Sequence, residues 1–256
     1  KRMGEFVAVT GDGVNDAPAI KSANIGIAMG SGTDVAKEAA SMIVVDDNFK
    51  SITEGIKEGR VAYANIRKIV LFLISCGLAE VLFCLLSIIK GYDIPLLAIQ
   101  LLWINIVTDG LQDMAMSFEK SNKNIMKTPP RPTTESIFNK EMTKEVIVYG
   151  ASIALIVFST WSILITKPIN IVLSRSIIMM LMVFIQNMHV LNCRSESKSV
   201  FENGFKQNKF VLFTIVGTII LQMIVMEVPL LSRFLQTYDV PNLHLVILFV
   251  VSLPII

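Results

Sequence analysis

Charge is what this sequence has least of. Only 17% of its 256 residues are Asp, Glu, Lys or Arg, where an ordinary globular protein carries roughly a quarter. Hydrophobic residues make up 53%, which argues against a chain that is soluble throughout. The charges are also unevenly placed: frequent from Lys1 to Lys68, sparse in the apolar blocks beyond, and clustered between those blocks. A net charge of +2 is too small to indicate a nucleic-acid partner. Cys76, Cys84 and Cys193 are odd in number and lack metal-ligand spacing. Cys76 and Cys84 lie inside an apolar run and read as small buried hydrophobes. No signal peptide opens the chain, because Lys1 to Thr10 runs directly into a strand. No initiator methionine stands there either, which suggests a piece of something longer.

Residues 1–58 alternate short β-rich runs with helical patterns, a βαβ signature. Phe6–Thr10, Ile25–Met29 and Met42–Val45 are the expected strands. Helices are expected from Ala17 to Ala23, with Pro18 near the start where proline is tolerated, and from Thr33 to Ala40. From Ser51 the pattern is helical and runs on through Arg60, Arg67 and Lys68 into apolar sequence. Residues 59–256 then read as stalk and transmembrane domain. Six apolar segments are expected, over 66–89, 96–118, 146–165, 171–191, 210–231 and 243–256. Most match the roughly 20 residues that cross a bilayer core; the last is shorter and the chain ends within it, as if truncated. Lys120, Lys123, Lys127, Arg131, Lys140 and Lys144 crowd one connector, and Arg194, Lys198, Lys206 and Lys209 another. The remaining connectors hold one basic residue or a pair: Lys90; Lys167 and Arg175; Arg233. The positive-inside tendency makes the basic-rich connectors cytoplasmic, and the N-terminal α/β piece with them. The expected location is the plasma membrane of a bacterium, as a multi-pass integral membrane protein.

The stretch Thr10–Pro18, TGDGVNDAP, carries the most chemistry. A strand ends, a turn through Gly11 and Gly13 lets the backbone approach a ligand closely, and Asp12, Asn15 and Asp16 present hard oxygens where a helix begins. Such a set suits Mg²⁺, which takes one or two carboxylates together with water and substrate phosphate. A helix N-terminus would add to phosphate binding. The plain alternative is a strand–turn–helix whose Asp and Asn residues only cap and turn. The spacing does not match a calcium loop of the EF-hand type.

Taken whole, this nonapeptide resembles the hinge motif of the P-type ATPases, members of the haloacid dehalogenase (HAD)-like phosphotransferases. Ile20–Gly30 and Gly32–Ala40 are similar to the same family's phosphorylation domain. The resemblance implies that Asp12 binds the catalytic Mg²⁺, that Asn15 and Asp16 support the phosphoryl site, and that Thr10 stands in its immediate surroundings. It also implies an ATP-driven cycle through an aspartyl phosphate. The family's nucleophilic aspartate lies in a D-K-T-G-T motif, and no such string occurs in this sequence. That residue, the nucleotide-binding and actuator domains and the first four membrane helices are expected to precede Lys1. The chain alone is then expected not to hydrolyse ATP, and its partner is the preceding part of the same pump.

Ionisable groups inside apolar helices are costly and point to an ion pathway. Glu80 lies mid-way along the first apolar segment. Asn105, Thr108 and Asp109 lie in the second, with i, i+3, i+4 spacing that puts them on one helix face. All offer oxygens, as a hard cation such as Ca²⁺ prefers. Gln186 and Asn187 occupy the fourth segment. For Asn187, His189 and Gln222 an interhelical hydrogen bond is the preferred reading, and Glu227 sits near a span end where water can reach it. Glu80 and Asp109, buried without a basic partner in the membrane, call for a cation or protons.

Here too there is a family resemblance. Leu101–Gly110 resembles the sixth membrane helix of the calcium-pump (type II) subgroup, Leu73–Glu80 its fifth, and Leu191–Glu196 the stretch after its eighth. Carried over by residue, Asn105 and Asp109 match one cation site, while Glu80, Thr108, Asp109 and Gln186 match the other. Gly77 stands where an asparagine ligand is expected and Gln186 where two-site pumps hold a glutamate, which favours one transported Ca²⁺ per cycle. Asp113 falls outside the pattern; it could add a ligand, alter ion choice or carry a proton. The fold expected is thus an α/β HAD-like segment followed by an all-α multi-span transmembrane helix bundle. The function expected is ATP-driven cation transport, with Ca²⁺ as cargo. A pump for Mn²⁺, Mg²⁺, Na⁺ or H⁺ is the first alternative, and a non-pumping membrane protein with a Mg²⁺-binding remnant the second.

Overall fold

A computed structural model of the chain describes residues 4–120, 124–132, 135–195 and 208–255. Expectations that rest on Lys1, Lys123, Glu196, Lys198, Lys206 or Ile256 lie outside the described residues. The chain forms two units, Lys1–Tyr63 with Ser121–Ser136, and Ala64–Lys120 with Ile137–Ile256.

The first unit is built on a three-stranded parallel sheet, β1 (Ala8–Gly11), β2 (Ile25–Met29) and β3 (Met42–Val44), in that spatial order. Helices α1 (Ala17–Ser22) and α2 (Asp34–Ala39) make the two crossovers. Parallel pairing requires such crossovers, which is why strands and helices alternate in the sequence. The register sets Thr10 against Ile27 and Ile27 against Met42. Ile20, Ala28 and Ala36 form the small core, with Val9, Ala39 and Ala40 against it. β1 begins two residues later than expected. At its start the Val7 N–H donates to the Asn24 side chain, and the Val7 carbonyl accepts from the Asn24 and Ile25 N–H groups. An amide side chain thus takes one place in the ladder. Pro18 sits in the first turn of α1, and the Thr33 hydroxyl accepts from the Ala36 N–H to cap α2. Later in this unit, the Arg60 guanidinium donates to the Ile125 and Thr128 carbonyls, and Arg131 lies over the Tyr63 ring.

The second unit is helical. The long helix α3 (Phe49–Ile89) enters it at Ala64. It closes with Gly91 at φ +70, with Gly91 N–H donating to the Ile88 carbonyl and Tyr92 N–H to that of Ser87. This paired arrangement satisfies the last carbonyls of a helix and needs the left-handed backbone that glycine takes at no steric cost. Next come α4 (Ala98–Ile104), a π-helical turn (Asn105–Asp109) and α5 (Gly110–Ser117). They are followed by α6 (Lys140–Ile165), α7 (Ile171–Cys193), α8 (Lys209–Glu227), the short α9 (Pro229–Leu235), and α10 (Asn242–Ser252). α8 gives way to α9 at Val228–Pro229 because proline lacks the N–H that would continue the ladder.

Among the described residues, four helices, α3, α6, α7 and α8, are long and apolar enough to cross a membrane. The second expected segment runs through three consecutive helical pieces over 98–117, and the sixth is the shorter α10. α7 is the centre of the unit: every residue from Ile177 to Leu191 is buried. Ile153 and Trp161 of α6, Phe83 of α3, Ile104 of α4, Val225 of α8 and Leu248 of α10 join its core.

Candidate functional site

The TGDGVNDAP stretch is a self-closed loop at the C-terminal end of β1. Thr10 and Gly11 finish the strand, and Val14–Asp16 form a single 3-10 turn before α1. One Asp16 carboxylate oxygen accepts the N–H groups of Asp12 at 3.1 Å and Gly13 at 3.0 Å. A Cβ on Gly11 would fall 2.5 Å from the Asp16 Cβ, so only glycine admits this closure. From the other side, Thr33 fastens the loop: its N–H and hydroxyl both donate to the Asp12 carbonyl, at 2.8 and 3.2 Å.

The backbone of Asp12 is thus held on two sides, while its carboxylate is exposed and makes no hydrogen bond among the described residues. Thr10 and Asn15 are exposed beside it. An immobilised loop presenting one free carboxylate fits Mg²⁺, whose remaining places water and phosphate oxygens can fill. Asp16 is different, since one of its oxygens is already committed to the loop's own N–H groups. α1 is only six residues long, and its register follows from this turn. Near the loop, Asp47 at φ 52 accepts the Ser31 N–H through both carboxylate oxygens, at 3.0 and 3.2 Å. That N–H, before all else, holds the Asp47 carboxyl below its ordinary range.

The second group of candidates lies in the helical unit. Asn105, Thr108 and Asp109 fall within the π-helical turn, whose Gly110 N–H reaches back to the Asn105 carbonyl. The extra residue in that turn alters the face assumed from α-helical spacing. Thr108 and Asp109 are buried, while Asn105 is exposed. π turns of this kind recur at functional sites.

Gln186 of α7 donates to the Glu80 carboxylate at 3.3 Å, and Asn105 also stands beside that carboxylate. Asp109 is within charge range of Glu80 and Asp113. Thr108 Oγ1, Asp109 Oδ1, Asp113 Oδ1 and Gln186 Oε1 are all buried without a hydrogen bond. Among the described residues no ion pair involves Glu80, Asp109 or Asp113. Unpaired buried oxygens of this kind are costly unless something positive or protic meets them. Among the described residues, no three His, Cys, Asp or Glu side chains stand close enough to hold a metal by themselves. Any cation there must draw on hydroxyl and amide oxygens as well.

Two polar arrangements brace this region, and neither is visible in local sequence. Gln112 of α5 donates to Asn187 Oδ1 at 2.7 Å, Thr214 of α8 donates to Gln112 at 2.9 Å, and Thr218 donates to Asn187 at 3.1 Å. At the far end of α5, Glu119 pairs with Arg194 through two bonds of 3.2 and 3.0 Å, both side chains being 2% exposed. Asn208 donates to the same carboxylate and to the Ala115 carbonyl, and Asn65 of α3 donates to the carbonyls of Ser117 and Glu119. Arg194 reads in the sequence as one basic residue of a connector, and Glu119 as a charge just past an apolar run; nothing local says that they meet.

The residues read as interhelical contacts do make them. Besides Asn187, His189 Nε2 meets Ser75 Oγ at 2.6 Å, and Gln222 accepts from the Trp103 indole at 2.9 Å. All three cysteines are free, Cys76 and Cys193 buried and Cys84 half-buried.

Residues 93–256 match the family model described as cation transporting ATPase, C-terminus, and residues 3–56 that described as haloacid dehalogenase-like hydrolase. The chain is 40% identical over 236 residues to a calcium-transporting ATPase of Bacillus subtilis, covering 91% of this chain and 26% of that protein. It is 39% identical over 241 residues to calcium-transporting ATPase 1 of Yarrowia lipolytica, covering 93% and 26%. To the human calcium-transporting ATPase type 2C member 2 it is 37% identical over 250 residues, covering 97% and 26%. The chain therefore spans about a quarter of the length of these relatives.

Proposed function

The chain belongs to the cation-transporting ATPases, and from that premise we propose that it is the C-terminal part of a P-type pump that moves Ca²⁺ across a membrane at the expense of ATP. The observation that carries the cargo assignment is the group of buried, unpaired oxygens at Thr108, Asp109 and Gln186 around a π-helical turn. Relatives named as calcium-transporting ATPases support the same cargo. Our working location is the bacterial plasma membrane, with the α/β unit in the cytoplasm. The expected spans at 66–89, 96–118, 146–165, 171–191, 210–231 and 243–256 remain our assignment, as does the boundary at residues 58–59.

In this reading the first unit is half of a phosphoryl-transfer site. Mg²⁺, when bound, neutralises charge on the transferring phosphate. Asp12 holds that ion, and Asp16 and Thr33 keep the Asp12 backbone from moving as charge develops. Thr10 and Asn15 line the approach, and Gly11 and Gly13 let the loop close on Asp16 beside it. The aspartate that accepts the phosphate comes from elsewhere in the pump, since no D-K-T-G-T string occurs in these 256 residues; the chain by itself is inactive. Glu80, Asn105, Thr108, Asp109 and Gln186 bind the transported ion. With the amide of Gln186 in place of a third carboxylate there, one Ca²⁺ moves per cycle.

The test uses the full-length pump. Asp12→Ala is expected to abolish phosphoenzyme formed from ATP, and Asp109→Ala to abolish its dependence on Ca²⁺. Cation-stimulated phosphoenzyme at parental levels in both variants would sink the proposal. Activation by Mn²⁺, Mg²⁺, Na⁺ or H⁺ but not Ca²⁺ would keep the pump and replace the cargo.

A further inference from the structure

Asp113 belongs to none of the roles assigned so far. It lies one turn beyond Asp109, in the first turn of α5, and i, i+4 spacing sets the two on the same side of the helix. Its Oδ1 is buried and, among the described residues, has no hydrogen-bond partner. Asp109 lies within charge range of both Asp113 and Glu80. Asp109, Glu80 and Asp113 are all close enough to the Cys76 sulfur on α3 for their charges to act on it. Three carboxylates from two helical stretches thus lie within charge range of one side chain of α3.

Among the described residues, no positive charge acts on Glu80, Asp109 or Asp113. Gln186, the α7 side chain that touches Glu80, is a neutral amide. The other side of α5 is fixed, because Gln112 is bonded to both Asn187 and Thr214. Turning α5 to carry Asp113 away would break that buried network. Like charges so confined repel unless a counter-charge meets them, and a hard doubly charged cation offers the most relief per site to oxygen ligands.

We propose that Asp113 is a third acidic side chain of the cation site, a ligand for a divalent cation that supplies from α5 the negative charge that Gln186 does not supply from α7. This rests on the cation-site reading given above. The three carboxylates are near one another without forming a cage, so binding draws Asp113 and Asp109 towards the same ion.

The experiment measures Ca²⁺ activation of ATP hydrolysis in the purified full-length pump carrying Asp113→Asn, Asp113→Glu or Asp109→Asn. Asp113→Asn keeps the shape and removes the charge, and the half-saturating Ca²⁺ concentration should rise about tenfold or more. Asp113→Glu should bring it back to within about threefold of the parent. Parental half-saturation in Asp113→Asn overturns the proposal. If Asp113→Asn shows no Ca²⁺-activated turnover, equilibrium ⁴⁵Ca binding decides: lost binding that Asp113→Glu regains supports the proposal, and any other result overturns it. Asp109→Asn separates the two levels. Parental Ca²⁺ activation there refutes the cation site itself, whereas its loss beside a parental Asp113→Asn refutes only the role of Asp113.

Discussion

Glu119 and Arg194 form an ion pair with almost no access to water, and its removal in steps measures how the helical unit is held together. The two bonds of 3.0 and 3.2 Å make a fork-to-carboxylate contact, and Asn208 adds a third donor to the same carboxylate. Taking one partner from such a pair costs about 3–5 kcal/mol, because the other charge stays buried without it. Arg194→Met should fall near the lower end, since Glu119 keeps the Asn208 donor. Glu119→Leu should fall near the upper end, since two charge-assisted bonds from Arg194 are lost and Asn208 loses an acceptor worth about 1 kcal/mol. Replacing both with apolar residues of similar volume should cost much less than the sum, because desolvation of two charges disappears with their attraction. The expected coupling is thus about 2 kcal/mol or more, within the range that contacting residues show. The assay is equilibrium unfolding of the purified full-length pump in mixed detergent micelles, for the parent, both single variants and the double variant. Single variants within about 1 kcal/mol of the parent whose effects simply add, as distant independent sites do, would refute this reasoning and return the pair to the small worth of a surface ion pair.

Gly11→Ala should disable the phosphoryl site without touching its ligands, because the new Cβ would lie 2.5 Å from Asp16 Cβ; phosphoenzyme formation at the parental rate would contradict the close approach. Asp16→Ala removes the acceptor shared by the Asp12 and Gly13 N–H groups, and bonds to a charged acceptor are worth about 1.5–3 kcal/mol. It should slow phosphorylation at least tenfold and raise the Mg²⁺ requirement; an unchanged Mg²⁺ dependence would show that the Asp12 loop holds itself. Asp47 titrates below its ordinary value, so its bond to Ser31 is fully present above the unfolded carboxylate's range and weakens as pH falls through the lower folded value. The Ser31 amide chemical shift should therefore move only in acid, below about pH 4, and the movement should vanish in Asp47→Asn. Its persistence in that variant would assign the effect to another group.

Much of this protein could be read from its sequence for reasons that are local. Alternating β-rich and helical runs before residue 58 required a parallel sheet with helical crossovers. The strand at Ile25–Met29 appeared where expected, and the helices at Ala17–Ser22 and Asp34–Ala39 within a residue of it. Glycine and carboxylate spacing in Thr10–Pro18 marked the turn that presents Asp12, since a close approach and a free carboxylate depend on few residues. Long apolar runs, sparse in charge, marked helices that can cross a membrane by the same reasoning.

What depends on distant residues had to wait for the tertiary structure. Periodicity treats every turn as α-helical, so it set Asn105 with Thr108 and Asp109, and the π-helical turn separates their exposure. The hold of Thr33 on the Asp12 carbonyl spans 21 residues, the bond between Gln112 and Asn187 spans 75, and the pairing of Glu119 with Arg194 spans 75. Sequence by itself determined which groups could do chemistry, because residue type fixes charge and donor oxygens. Only the packing of α3, α5, α7 and α8 decided which of them stay unpaired beside one another and which are spent holding helices together. A buried polar atom is satisfied or orphaned by neighbours that the chain brings from far away.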